Sequence, residues 1–358
     1  MNEDIRKLTE EILFIATEQK ASDLHISVDH CPTLRVMGKL VALKNVGRVD
    51  SETAKQIAFY LMNDSQQEKF LREKEIDFSY GFEEKNRFRV NIFFQRGNIS
   101  CSLRSVSTEI KTIEELNLPG ILREFTKRSQ GLVLITGPSS HGKSTTLAAL
   151  IDEINKNYFK RIITIEDPIE YIFQDDRSII DQREVYYDTN SFRNALKSVF
   201  RQDPDVIMVG EMRDPETIAT TITAAETGHL VFSTLHTNSA AESVHRIIDS
   251  FPAGQQEQIR AQLATSLLGI ISQRLLPKRE GGLIPACEIM ISNSASANII
   301  REGRVHELDL VIETSAKEGM ISLNQSLISL VDRGEISPED AILYSRRPEE
   351  FKKNIKAL

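Results

Sequence analysis

The chain has 358 residues, 40% of them apolar and 27% charged, a balance that excludes a disordered chain and, at roughly 100–200 residues per domain, reads as two domains. Forty-four Lys and Arg against 52 Asp and Glu give a net charge of −8, which argues against a nucleic-acid partner bound by an evenly basic surface. Cys31, Cys101 and Cys287 form neither a disulfide framework nor a C-x-x-C zinc pair, and the acidic start with no apolar run near 18 residues predicts a cytoplasmic chain without membrane insertion.

Ile5, Leu8, Ile12 and Ile15 recur at helical spacing, so residues 2–19 are predicted to form an amphipathic helix. Leu24 to Ile26, Leu34 to Val36 and Leu40 to Leu43 around Gly38 predict strands joined by a tight turn, and helices are expected near 51–63 and 66–74. Farther on, Phe88, Val90 and Ile92 share one face of a strand while Arg87, Arg89 and Asn91 share the other. The turn Gln95-Arg96-Gly97-Asn98 returns the chain into 99–106, where Ser100, Ser102 and Arg104 lie opposite Cys101 and Leu103. Neighbouring strands are therefore predicted to present arginines together. These elements predict an α+β domain over 1–106 and an irregular linker over 107–118, with a second domain over 119–358.

From Leu122 the pattern changes to alternating units. Strands are predicted at 132–135, 162–165, 206–209 and 229–234, and helices at 143–156, 190–201 and 215–226. Such alternation implies right-handed crossovers and an α/β parallel sheet with helices on both faces. After about 254 the chain is expected to be mostly helical.

Gly137-Pro138-Ser139-Ser140-His141-Gly142-Lys143-Ser144 matches G-x-x-x-x-G-K-[ST] between a predicted buried strand and a predicted helix, the context this loop needs to bind phosphate. Backbone N–H groups face the phosphate oxygens there, Lys143 adds a cation, and the Ser144 hydroxyl is a magnesium ligand. Val206 to Val209 is an apolar strand ending at Gly210-Glu211, a position from which a carboxylate holds magnesium. The strand at 162–165, expected between that strand and the phosphate loop, ends in Glu166-Asp167-Pro168-Ile169-Glu170, where an acid can orient the attacking water. Asp167 before Pro168 also fits a simple cap. His229 and His236 flank the last predicted strand, on the side where open α/β sheets bind ligands, although a single histidine is more often structural. No arginine of the second domain stands in an obvious position to meet charge on a γ-phosphate. Arg87, Arg89 and Arg104 of the first domain are candidates across a subunit boundary, with a solvated basic face as the plainer reading.

Gly137 to Thr146, Ile163 to Glu170, Asp203 to Asp214 and Gly228 to Thr237, in this order and spacing, resemble the secretion-superfamily ATPases of the PilT type, the type IV pilus retraction motors. The resemblance runs from Ser22-Asp23-Leu24-His25-Ile26 to Asn298-Ile299-Ile300-Arg301-Glu302. It implies a PAS-like N-terminal domain and a RecA-like C-terminal domain in a homohexamer that binds ATP and Mg2+. It also implies recruitment to an inner-membrane platform protein at the cell membrane, with ATP hydrolysis driving pilin removal and twitching motility. Ser139, Ser140, His141, Gly142, Lys143, Ser144 and Thr145 would then contact nucleotide, with Ser144 and Glu211 on the metal. Glu170 would be the general base beside Glu166, His229 and His236 the paired histidines, and Arg89 and Arg104 would reach a neighbouring subunit's γ-phosphate.

The loop departs from Gly-Pro-Thr-Gly-Ser-Gly-Lys-Ser at Ser139, Ser140 and His141, and a side chain at Ser140, where the glycine is lost, predicts backbone strain and slower turnover. Ala295 to Glu302 replaces Ala-Ile-Arg-Asn-Leu-Ile-Arg-Glu with Ala297 in place of the first Arg, which bears on coupling to the pilus rather than on hydrolysis. The rivals are an assembly or type II secretion ATPase of the same superfamily, whose members generally add a four-cysteine zinc module, a nucleic-acid translocating RecA-like motor, and a nucleotide-gated scaffold. The tail residues Arg346, Arg347, Lys352, Lys353 and Lys356 fit plain solvation.

Overall fold

The computed structural model describes residues 3–83, 86–106, 109–349 and 351, so Lys352, Lys353 and Lys356 of the tail lie outside the described residues. The chain divides into two compact units, one of Met1–Glu109 with Pro168–Ile172 and one of Ile110–Asp167 with Phe173–Leu358. Residues 110–118 of the expected linker thus go with the second unit.

In the first unit, α1 (Glu3–Glu18), α2 (Ser51–Leu61) and α3 (Asp64–Glu73) accompany β1 (Asp23–Ile26), β2 (Thr33–Val36), β3 (Lys39–Ala42), β4 (Glu75–Phe82), β5 (Asn86–Gln95) and β6 (Asn98–Val106). The sheet is antiparallel throughout, in the order β3-β2-β1-β6-β5-β4. Local chemistry sets the helix starts: the Asp50 side chain accepts from Thr53 N–H at 2.7 Å, and Asn63 with Gln66 forms a capping box. Ile12, Leu13, Ile57, Val90 and Leu103 are fully buried in one core, as the parity of the strands requires. The strand β4 was not expected, although Glu75-Ile76-Asp77-Phe78 alternates polar with apolar residues and its Ile76 and Phe78 are buried while the two acids are exposed.

The second unit contains α4 (Arg123–Thr126), β7 (Gly131–Thr136), α5 (Lys143–Asn157), β8 (Arg161–Glu166), β9 (Ile179–Glu184), α6 (Phe192–Val199), β10 (Val206–Val209), α7 (Pro215–Glu226) and β11 (Leu230–Leu235). It continues through α8 (Ala240–Asp249), α9 (Ala253–Ser266), β12 (Leu267–Pro277), β13 (Leu283–Ile291), α10 (Ser294–Glu302), α11 (Leu308–Thr314), α12 (Leu323–Asp332) and α13 (Pro338–Tyr344). The strands follow the order β13-β12-β7-β11-β10-β8-β9, parallel except for the β12/β13 pair. The α/β expectation holds, with two corrections. The stretch after 254 is not simply helical: β12 and β13, of 11 and 9 residues, complete one edge of the sheet. Most of β12 is buried, so its apolar run lacks the alternation that marks a half-exposed strand and reads like buried helix. Second, the strand inserted between β7 and β10 is β11, while β8 lies beyond β10.

Candidate nucleotide site

All six residues of β7 are buried, and the strand delivers its end at Thr136 to the loop 137–142. The loop is shaped by close approach as much as by turn chemistry. A side chain on Gly137, at φ 145°, would place its Cβ 2.3 Å from the Gln273 carbonyl oxygen, so only glycine fits. Ser140 adopts φ 63°, the left-handed conformation expected from its place in the motif. Helix α5 begins after Gly142 with no side-chain cap, leaving the amides of its first turn for an anion. The buried Lys143 Nζ donates to the carbonyls of Gly137 and Pro138, both at 2.9 Å, which holds the ammonium inside the loop.

The loop also rests on β12, a contact that sequence reasoning missed. Thr136 Oγ1 and Ser272 Oγ lie 2.8 Å apart. Gln273, 2% exposed, donates from Nε2 to the His141 carbonyl at 2.8 Å and accepts at Oε1 from Thr146 Oγ1 at 2.6 Å. The Leu275 N–H donates to His141 Nδ1 at 2.9 Å. Burial, with Arg274 and Lys143 nearby, pushes the His141 imidazole below its ordinary value. Beside the loop is a cavity of about 210 Å3, lined by Asn117, Leu118, Gly142, Thr145, Leu275 and Leu283 among others.

A second cluster forms at the ends of β10 and β11, joined by a 2.6 Å hydrogen bond from Thr234 Oγ1 to the Gly210 carbonyl. The Glu211 side chain, 13% exposed, lies 2.5 Å from Arg213 and 3.6 Å from His236 Nε2. The other ring nitrogen of His236 is 3.4 Å from Ser139 Oγ, which links this cluster to the phosphate loop. Glu211, His236 and the loop therefore meet. Arg213 joins them through Glu211, a pairing that sequence reasoning missed, and its hydrogen bond to Glu211 pushes the guanidinium up. The signal was the Glu-x-Arg spacing at a strand end.

The other predicted residues stand elsewhere. Glu166 is buried and accepts from Thr164 Oγ1 at 2.6 Å and Gln182 Nε2 at 3.2 Å. His229 precedes β11 and His236 follows it, so the six residues of the strand, about 20 Å of extended chain, separate them. Its Nδ1 lies 2.9 Å from the Ala224 carbonyl and its ring meets Phe200 edge-on, so the structure does not bring the two histidines together. Glu170 is exposed in Pro168–Ile172, which belongs to the first unit. In that unit Arg89 and Arg104 are directly opposed across β5 and β6, as parity predicted. Arg104, 72% exposed, donates from Nε to Asp23 at 2.9 Å, and Arg89 is exposed.

The family profile described as "Type II/IV secretion system protein" matches residues 2–336. The type IV pilus retraction ATPase PilT of Pseudomonas aeruginosa is 42% identical over 341 residues, 95% of this chain and 99% of that one. A twitching motility protein of Neisseria gonorrhoeae is 45% identical over 311 residues, 87% of this chain and 83% of that one. A crystal structure of the pilus retraction motor PilT with bound ADP superposes with a TM-score of 0.89 at 45% identity, covering 96% of this chain and 98% of that one.

Proposed function

We propose that this chain, which belongs to the type II/IV secretion system protein family, is an ATP-hydrolysing motor that powers type IV pilus retraction as a homohexamer. The observation that carries the reading is the meeting of Lys143 and the uncapped α5 with the Ser139–His236–Glu211 chain at the carboxyl ends of β7, β11 and β10.

In this reading the loop amides and Lys143 bind the β- and γ-phosphates, with the ammonium exchanging loop carbonyls for phosphate oxygens. The residues fit magnesium: the Ser144 hydroxyl and the Glu211 carboxylate are hard oxygen donors, of the kind this ion takes together with phosphates and water. When bound, the ion neutralises developing phosphate charge. His236 turns toward the γ-phosphate from its place between Ser139 and Glu211, and Arg213 orients Glu211. The cavity beside Gly142 and Thr145 receives the base. Glu170 activates the attacking water, and Arg89 and Arg104 complete the site of a neighbouring subunit, with Arg104 leaving Asp23 to do so. Work on the pilus is done through an inner-membrane platform protein, so the motor acts at the cytoplasmic face of the membrane.

Mixing decides the shared site. Lys143→Ala and Arg104→Ala chains are each expected to lose about 1,000-fold or more in ATPase rate, the Arg104 loss matching an arginine finger, while a mixture recovers measurable turnover from rings with one intact interface. Phosphate release at the unmixed level, with ring assembly confirmed by mass, excludes the arrangement.

A further inference from the structure

The strand β7 ends at Thr136, where its pairing with β12 ends at Ser272, yet β12 runs on to Pro277. Along this overhang the phosphate loop takes the place of a strand. The Gln273 amide spans His141 and Thr146, and the Leu275 N–H is taken by the imidazole of His141, a residue 134 positions away in sequence. A backbone donor in such a place needs an acceptor, and Nδ1 serves only while it carries no proton. The neutral ring thus keeps its hydrogen on Nε2. The charged groups around the ring are Arg274 from β12 and Lys143 from α5, both cations, so among the described residues no carboxylate rewards a proton there.

We propose that His141 is a positioning residue for nucleotide binding: its uncharged imidazole seats the phosphate loop on the β12 overhang, and protonation unseats it. This rests on the nucleotide-binding reading above and adds a pH dependence built into the loop itself. A proton on Nδ1 sets two donors face to face and breaks the contact to Leu275, leaving Gln273 and the Thr136–Ser272 pair to hold the loop on β12. The sign follows from the lowered value of the ring. The seated loop is complete above the ordinary histidine range near pH 6.5 and is lost as pH falls through the lower value in the folded chain.

The test is magnesium-ADP binding to the full chain, followed by calorimetry from pH 8 to pH 5, for the wild type, His141→Asn and His141→Ala. Asparagine offers its Oδ1 near the place of Nδ1 and does not titrate, so it serves as the internal reference and cancels protonation of the nucleotide and of other histidines. The wild type is expected to lose about tenfold in affinity relative to His141→Asn across this range, about 1.4 kcal/mol. His141→Ala is expected to bind weakly at every pH, and the asparagine variant to restore wild-type affinity at pH 8. Parallel pH profiles for the wild type and His141→Asn overturn the proposal, as does wild-type affinity in His141→Ala. If His141→Ala does not fold, the asparagine comparison decides alone. A wild type that fails to bind magnesium-ADP at pH 8 overturns the nucleotide reading and this proposal with it, an outcome that no substitution can mimic.

Discussion

Ser140 sits at φ 63° in the phosphate loop, where a residue with a Cβ gives up about 1 kcal/mol relative to glycine. Ser140→Gly removes that strain and adds chain entropy to the unfolded state, two effects that partly cancel. The expected outcome is a melting temperature within about 3 °C of wild type, with a faster ATPase rate because the loop reaches its binding conformation without strain. A turnover unchanged by Ser140→Gly refutes the slowing. The left-handed position was legible because the motif puts glycine there. The role of His141 was not, since its partner Leu275 N–H comes from a strand far along the chain.

At the scale of elements, the C-terminal segment after α13 is tied to the sheet through a buried charge. Glu288 of β13 is 4% exposed and accepts from the Ala240 N–H at the head of α8, at 2.9 Å. Arg346 pairs with it at 3.1 Å and donates to the Asn238 carbonyl at 2.6 Å, which corrects the reading of this tail arginine as plainly solvated. Burial pushes the Glu288 carboxyl up, while Arg346 and the Ala240 amide pull it down. Arg346→Ala leaves a stranded carboxylate and is expected to cost about 2 kcal/mol at pH 7 in urea denaturation, less than for a fully enclosed pair because Arg346 is partly exposed. A carboxyl raised above its unfolded value takes its proton first in the folded chain, so the deficit should shrink as pH falls from 7 to 5. Glu288→Gln keeps an acceptor for Ala240 and should cost less than Arg346→Ala. A deficit that is equal at both pH values sinks the account.

Across the whole molecule, each compact unit carries its own sheet and core, and each sheet holds a cysteine. Cys101 of β6 and Cys287 of β13 are 1% and 0% exposed, and burial pushes both thiols up to about 12. Cys31 is partly exposed. Under native conditions a maleimide should therefore modify Cys31 alone, read by mass spectrometry, because the other two are shielded and remain protonated. Rising denaturant should release Cys101 with the first unit and Cys287 with the second. Rapid native labelling of either one would contradict the cores described here.

What the sequence by itself determined is the machinery written in contiguous residues: the phosphate loop between β7 and α5, Glu211 at the end of β10, the arginine parity of β5 and β6, and the family they signal. These are local because glycine conformations, strand parity and helix starts depend on neighbours a few positions apart. Only the tertiary structure decided that β11 enters between β7 and β10, that β12 returns beside β7 to hold the loop through Gln273 and His141, and that Arg213 joins Glu211. Strand order is set by crossovers and by burial on both faces, and neither leaves a period in the local sequence.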